Sequence, residues 1–203
     1  MNPERRREAH ARRPEAGPSP AARIESLGLL RRACWHELER ATVEREHGWR
    51  ALVLATLDGS QPDARTVILR EVDVQAQCLR FYTDARSRKV AQIQAQPLGT
   101  LLAWCPRLSW QLRIKTRLRV DTDEPDVRSR WSQLRLTPSS QDYMSPLAPG
   151  ALLHDGPRPD GDGSQAHFAV VHAEVLSLDW LELHADGHRR ACFDAQGERW
   201  VQP

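Results

Sequence analysis

The stretch Arg65-Thr-Val-Ile-Leu-Arg70 has the composition of a β-strand with an arginine at each end. Polar clusters follow it at Tyr82-Thr83, Ser87-Arg88-Lys89, Gln111 and Arg113. Cations and free backbone N–H groups at the start of a helix suit a phosphate. Strand edges and an amide side chain suit a planar ring with polar edges. The block therefore indicates a phosphorylated planar ligand.

Outward from this block, apolar spacing predicts many short strands and three helices. A first helix is expected from Ile24 to about His47, with Gly48 suited to its end. Asp84 is expected to cap a second helix of about ten residues that stops before Pro97, and Glu124–Leu136 to form the third. Strands are expected at Trp49–Leu57, Ala64–Val72, Cys78–Thr83, Leu98–Cys105, Trp110–Val120, Ala166–Leu183, Arg190–Phe193 and Trp200–Val201. This pattern favours a mostly antiparallel barrel with peripheral helices.

Length and composition predict one domain. The chain has 203 residues, 40% of them hydrophobic, which allows one sizeable core over residues 23–203. Residues 1–22 mix Arg, Glu, Pro and Ala without apolar periodicity, so a disordered tail is expected. Residues 137–163 are rich in Pro and Gly and are expected to form a lid, a binding loop or a disordered loop.

Several classes of protein and site are disfavoured by the sequence. Four scattered cysteines without a Cys-x-x-Cys pair, no apolar run of membrane-spanning length and no secretory leader predict a cytoplasmic protein. No metal site is expected, since His167 and His172 would point to opposite faces of a strand. The cations of Arg113–Arg119 could track a nucleic-acid backbone. The net charge of only +2 favours a solvated strand face or a subunit interface instead.

Taken singly, the polar clusters have ordinary explanations. Ser87-Arg88-Lys89 could be a solvated basic turn of a surface helix, and Arg65 and Arg70 could be strand ends reaching for water. On a strand, Arg65 shares a face with Val67 and Leu69, and Arg70 shares the opposite face with Thr66 and Ile68. The residues alone leave these alternatives open.

The order of the motifs is more specific than any one of them. Arg-Thr-Val-Ile-Leu-Arg, then Phe81-Tyr-Thr, then Ser-Arg-Lys opening a helix that ends in Gln-Pro97, then Trp110-Gln111, resembles the pyridoxamine 5′-phosphate oxidase family. The match runs from about Trp49 to Trp200 and is strongest over Arg65–Gln111. The resemblance implies a split β-barrel that binds FMN at a homodimer interface, with both subunits lining each site.

The resemblance also implies residue roles. It assigns the flavin to Arg65, Thr66, Val67, Ile68, Leu69, Arg70, Tyr82, Thr83, Ser87, Arg88, Lys89 and Gln111, with Trp180 and Arg190 supplied by the other subunit. Trp131, Arg135 and Ser139 reproduce the steps of a family Tyr-x-x-x-Arg-x-x-x-Ser run that grips a substrate phosphate. Arg70 and His188 would also face the substrate, and His188 is the one candidate for a catalytic group.

Departures from the family pattern concern the substrate. Trp131 replaces a tyrosine, Arg70 replaces a lysine, and Asp186-Gly-His188 replaces an Arg-x-His pair. The resemblance therefore supports FMN binding more strongly than oxidation of pyridoxamine phosphate. The first hypothesis is an FMN-dependent oxidoreductase acting on a small molecule such as an amine or a phosphorylated compound. The alternatives are a flavin-binding or sensor protein without turnover and, third, a basic-faced barrel that binds nucleic acid or another anion.

Overall fold

The computed structural model describes residues 23–153 and 167–203. The predicted tail, residues 1–22, and residues 154–163 of the long loop lie outside these ranges. The described elements are α1 (Leu27–Val43), β1 (Ala51–Asp58), β2 (Gln61–Asp73), β3 (Cys78–Asp84), α2 (Arg88–Ala95), β4 (Leu98–Cys105), β5 (Trp110–Asp121), α3 (Pro125–Leu134), a 3₁₀ helix (Pro138–Tyr143), β6 (Phe168–Glu182), β7 (Arg189–Asp194) and β8 (Gly197–Val201).

Six of the strands close a barrel. β1 pairs with β2 and β4, β2 with β3, β3 with β6, and β5 with β4 and β6, always antiparallel. β7 and β8 continue the sheet from the far end of β6. β6 can pair with both β3 and β5 because it is 15 residues long. It has a bulge at Leu176, between the residues that pair with Lys115 and Thr116. The predicted antiparallel barrel with peripheral helices is confirmed.

The core is formed by the side chains that alternate strand positions point into the barrel. Leu112, Ile114 and Leu118 of β5 are buried, whereas Arg113 and Lys115 on the other face are exposed, as their period of two predicts. Apolar side chains from the other barrel strands meet them, and α1 closes one side with its own buried residues. Burial of these side chains is the main favourable contribution to folding.

Three expected boundaries were wrong. α1 begins after Ser26, whose hydroxyl accepts from Leu29 N–H, and ends at Val43. His47 lies beyond the helix, where its buried ring contacts Glu37 Oε2 at 2.8 Å. Asp84 does not cap α2, because its carboxylate accepts from the backbone N–H of Arg86; the N-cap residue is Ser87.

The basic face of β5 is largely ion-paired within the described residues. Arg113 pairs with Asp179, Arg119 with Asp121, and Arg117 approaches Glu174 at 3.9 Å. Those carboxylates compete with any nucleic-acid phosphate for the same cations. None of the described helices is long and apolar enough to cross a membrane. The described ranges also hold no group of three or more His, Cys, Asp or Glu placed to share a metal ion.

Candidate functional site

The barrel wall opens between β2 and β3. Their ladder ends at the pair Leu69–Phe81, yet β3 continues along β6 as far as Asp84. The preceding part of β2, from Gln61 to Ile68, keeps only its pairing with β1. Backbone N–H and C=O groups on the other edge of that segment therefore face the opening instead of a strand.

Arg65 lies at this opening, on the inner face of β2 that it shares with Val67 and Leu69 as the strand alternation predicted. Its guanidinium donates to Thr56 Oγ1, to Gln92 Oε1 at 2.8 Å and to Asp63 Oδ2 at 2.6 Å. Gln92 Nε2 also donates to Asp63 Oδ2 at 2.8 Å. Residues from β1, β2 and α2 thus hold the guanidinium in one orientation, which keeps a fixed positive charge at the mouth of the barrel.

Lys89, Thr83 and Ser87 lie beside that charge. Lys89 Nζ donates to Thr83 Oγ1 at 3.0 Å, and the hydroxyls of Thr83 and Ser87 are 3.1 Å apart. The pKa of Lys89 is lowered mainly by burial and secondly by the nearby Arg65 guanidinium. Asp63 pairs with Arg65, but among the described residues no carboxylate lies within ion-pairing distance of Lys89. An ammonium half-buried beside a guanidinium favours the binding of an anion.

The start of α2 completes an anion site. Ser87 is the N-cap residue but its side chain does not cap its own helix. Among the described residues, no acceptor is found for the backbone N–H groups of Arg88 and Lys89. These amides carry the positive end of the helix dipole. The exposed Arg88 side chain is drawn away to Asp58. The cluster of Arg65, Thr83, Ser87, Lys89 and these amides fits a phosphate group.

The outer face of β2 and β3 lies next to this cluster. Thr66, Ile68 and Arg70 point outward, whereas Val67 and Leu69 are buried and could offer a ligand only their backbone. The Arg70 guanidinium lies 5.7 Å from the centroid of the Tyr82 ring. A cation over an aromatic face is a stable arrangement. This surface offers a planar ligand a polar and aromatic wall.

Some of the residues predicted to bind the substrate phosphate lie beside this surface. Trp131 of α3 packs on Phe168, with ring centroids 5.5 Å apart, and Phe168 packs on Tyr82 at 5.0 Å. Ser139 is half-buried in the 3₁₀ helix, and Arg135 is exposed at the end of α3. The structure thus brings Trp131 near Tyr82 and Arg70, whereas Arg135 remains in solvent.

Gln111 and Arg190 lie on the opposite side of the same barrel. Gln111 pairs with Leu181, and Leu181 with Arg190, so both predicted cofactor residues share the outer face of β5 and β7. In the closed order β1-β2-β3-β6-β5-β4, β5 is opposite β2. Outer faces of opposite strands point away from each other, so one chain cannot bring Gln111 and Thr66 to the same ligand.

Two other predicted residues, Trp180 and His188, lie away from the opening of the barrel in their own chain. Trp180 is 0% exposed and packs between Trp110 and Trp200 on the inner side of β6. The flavin contact expected of Trp180 stays a prediction; for the indole to make it, the core around Trp180 would have to rearrange. His188 is exposed, and its Nδ1 accepts from the backbone N–H of His184 at 3.1 Å, in the β6–β7 turn.

Sequence reasoning missed several residues of the site. Glu71 accepts from Tyr82 Oη at 2.7 Å and from Arg130 Nη2 at 2.8 Å. Arg86 donates to the carbonyls of Ser145 and Leu147, at 2.8 and 3.3 Å, and so ties the first part of the long loop to the start of α2. Arg86 could have been found from the sequence, because it directly precedes the Ser87-Arg88-Lys89 motif. No sequence motif links Glu71 with Arg130, because 59 positions separate them.

Comparisons with known proteins point to one family. The family model for the FMN-binding domain of pyridoxamine 5′-phosphate oxidase matches residues 32–122. The pyridoxine/pyridoxamine 5′-phosphate oxidase of Thermosynechococcus vestitus is 32% identical over 168 residues, 74% of this chain and 75% of that protein. Its counterpart from Anaeromyxobacter dehalogenans is 30% identical over 204 residues, 92% and 94% of the two chains.

Solved structures share the fold. A pyridoxamine 5′-phosphate oxidase-related, FMN-binding protein from Nostoc punctiforme superposes with a TM-score of 0.69 at 25% identity, covering 85% of this chain and 96% of that one. PhzG from Burkholderia lata superposes with a TM-score of 0.65 at 18% identity, covering 87% and 92%, and therefore supports the fold alone. The chain belongs to the pyridoxamine 5′-phosphate oxidase family, and its barrel carries that family's FMN-binding domain.

Proposed function

We propose that this protein is an FMN-dependent oxidoreductase that works as a homodimer on a small-molecule substrate. The observation that carries the proposal is the cluster of Arg65, Thr83, Ser87 and Lys89 at the opening of the barrel, where a half-buried ammonium has a lowered pKa and, within the described part of the chain, no carboxylate at ion-pairing distance. Bound FMN would supply the redox chemistry by accepting a hydride equivalent; the protein supplies binding and orientation.

The chain's own residues divide the work of holding the cofactor. Arg65, Lys89, the hydroxyls of Thr83 and Ser87 and the first amides of α2 would hold the phosphate. The free edge of Thr66–Ile68 would offer backbone donors and acceptors to the polar edge of the ring. Arg70 and Tyr82 would line the ring from the outer face of the barrel, where the guanidinium and the phenol already contact each other.

A second copy of the chain would complete each site. Gln111 and Arg190 point away from the barrel opening of their own chain, which supports their contribution to the site of a partner. An exposed apolar surface between the two regions supports the same assembly. Val53 and Leu102 are register partners on β1 and β4, and they and Trp104 are 38 to 42% exposed. Such a surface on a small protein indicates an interface.

The substrate would enter beside Arg70 and α3. This entry route agrees with the positions of Trp131, Ser139 and Arg70. To contact the substrate, Arg135 and His188 would have to turn inward from solvent. Asp186, where the family pattern has a cation, repels a phosphate or carboxylate near His188. A substrate without an anionic group at that end therefore agrees best with the chain.

Comparing FMN with riboflavin, the same ring system without phosphate, tests the proposal. The purified protein should bind FMN about 100-fold more tightly than riboflavin, since each charge-assisted hydrogen bond contributes about 1.5–3 kcal/mol. Replacing Lys89→Ala together with Arg88→Ala should remove most of that preference and leave riboflavin affinity unchanged.

Equal affinities for the two flavins, or an unchanged preference in the double variant, would refute the phosphate site. Turnover is tested separately by mixing the FMN-loaded protein with a panel of amines, including pyridoxamine phosphate, and recording bleaching of the flavin band. Tight FMN binding without bleaching by any compound would favour the flavin-binding protein without turnover.

A further inference from the structure

Glu71 lies at the junction of three elements on the outer face of the barrel. It follows the β2 bulge between Leu69 and Glu71, which turns its carboxylate toward β3 and α3. Tyr82 Oη donates to Oε1 at 2.7 Å, and the Arg130 guanidinium donates to both oxygens, at 2.5 and 2.8 Å. A bidentate guanidinium–carboxylate pair fixes both partners in one geometry.

The Tyr82 ring is consequently held on three sides. Glu71 receives its hydroxyl, Phe168 packs edge-on against it with centroids 5.0 Å apart, and the Arg70 guanidinium lies over its face at 5.7 Å. Burial, together with the hydrogen bond to Glu71, raises the pKa of Tyr82, so the phenol stays protonated and remains a donor. Its orientation therefore depends on where the Glu71 carboxylate is held.

Arg130 fixes that carboxylate from α3, the helix that also carries Trp131. The Arg130 side chain is 19% exposed, and Glu71 is 28% exposed, so this pair is more shielded than an ordinary surface ion pair. Burial raises the pKa of Glu71, but the hydrogen bonds from Arg130 and Tyr82 outweigh it and the pKa lies below its usual value. Arg80, at 3.6 Å, is a weaker partner shared with Asp73.

From these contacts we infer that Glu71 and Arg130 are positioning residues, which couple the docking of α3 to the orientation of Tyr82 and Arg70 at the flavin ring. Neither residue touches the cofactor; both act through Tyr82. The inference rests on the proposed placement of the ring beside Tyr82. It assigns to Arg130 a role that the motif around Trp131 does not include.

The test compares two arginines of the same helix. Arg130→Met removes the contact with Glu71, whereas Arg128→Met removes an exposed arginine whose nearest carboxylate, Asp123, is 3.9 Å away. Arg130→Met should weaken FMN binding about tenfold, the equivalent of losing one charged hydrogen bond, and should change the visible circular dichroism of the bound flavin. Arg128→Met should do neither. Arg130→Lys should restore part of the wild-type signal, because an ammonium can still reach one oxygen.

A double-mutant cycle separates positioning from general destabilisation. In a Tyr82→Phe background, Arg130→Met should have little further effect on the flavin signal, because both changes break the same chain of contacts. Identical signals from the Met variants at 128 and 130, or full additivity with Tyr82→Phe, would overturn the inference. If Arg130→Met does not fold, Arg130→Lys is compared with Arg128→Lys in the same way. Failure of the wild-type protein to bind FMN would instead refute the proposed function.

Discussion

Lys89 is a residue of the site whose charge depends on its surroundings. Burial and the neighbouring Arg65 lower its pKa, so the neutral amine forms at a lower pH than in a free lysine. A bound phosphate opposes both effects and raises the pKa again. By linkage, FMN must bind more tightly to the protonated form, and affinity must fall as the pH rises through the lowered pKa of the free protein.

The expected result is a loss of FMN affinity on the alkaline side, measured by flavin fluorescence between about pH 7.5 and 10. Lys89→Arg keeps its charge throughout this range and should flatten the curve. Parallel curves for the two proteins would show that another group titrates.

Single residues of the site were predictable only where their neighbours are close in sequence. Arg65 was correctly placed on the face of Val67 and Leu69, because a strand alternates with period two. Its partners Thr56 and Gln92 come from β1 and α2, and nothing in the local pattern links them. Trp180 was assigned to the cofactor by motif position, and that motif gave no sign of its burial on the inner side of β6.

At the scale of elements, Glu182 holds the entry to α1 against the end of β6. Its carboxylate accepts from Arg23 at 2.6 Å, from Arg189 at 3.0 Å and from Trp110 Nε1 at 3.3 Å. Arg189 also donates to the carbonyl of Ile24 at 3.0 Å. Replacing this carboxylate by an amide removes the negative charge and one acceptor oxygen, and it places an NH₂ donor among these donors.

Glu182→Gln should therefore lower the free energy of unfolding by about 1–3 kcal/mol, measured by urea denaturation. Glu174→Gln is the matched control, because Glu174 is exposed and 3.9 Å from Arg117; it should change stability by less than about 0.5 kcal/mol. Equal losses in the two variants would mean that Glu182 has no special part in joining α1 to the barrel.

Most elements were predictable, but their ends were less so. The alternation of β5 is long and unambiguous, and the structure reproduces it residue by residue. α1 stops at Val43, before the predicted end at His47, because His47 turns back to bind the buried Glu37. The sequence offered Asp84 as a cap, but the backbone N–H and the guanidinium of Arg86 occupy its carboxylate, and the Ser145 carbonyl holds that guanidinium in place. Tertiary contacts therefore determine where α1 ends and which residue caps α2.

At the scale of the whole molecule, the class of fold was predictable and its closure was not. Many short strands without a βαβ rhythm indicate an antiparallel barrel. The pairing of β3 with β6, which closes the barrel, joins segments about 90 residues apart and leaves no local trace. That closure places Thr66 and Gln111 on opposite sides, which is the structural reason why the proposed site needs two copies.

Subunit complementation tests this central claim most directly. Lys89→Met damages the phosphate half of the site and Arg190→Met the opposite half. In a two-fold symmetric dimer of one subunit of each kind, one site collects both lesions and the other collects neither. Each variant alone should therefore bind no flavin at an FMN concentration chosen to load the wild type, whereas a mixture with randomly exchanged subunits should bind FMN at about a quarter of its sites. No recovery in the mixture would contradict a site shared between two copies.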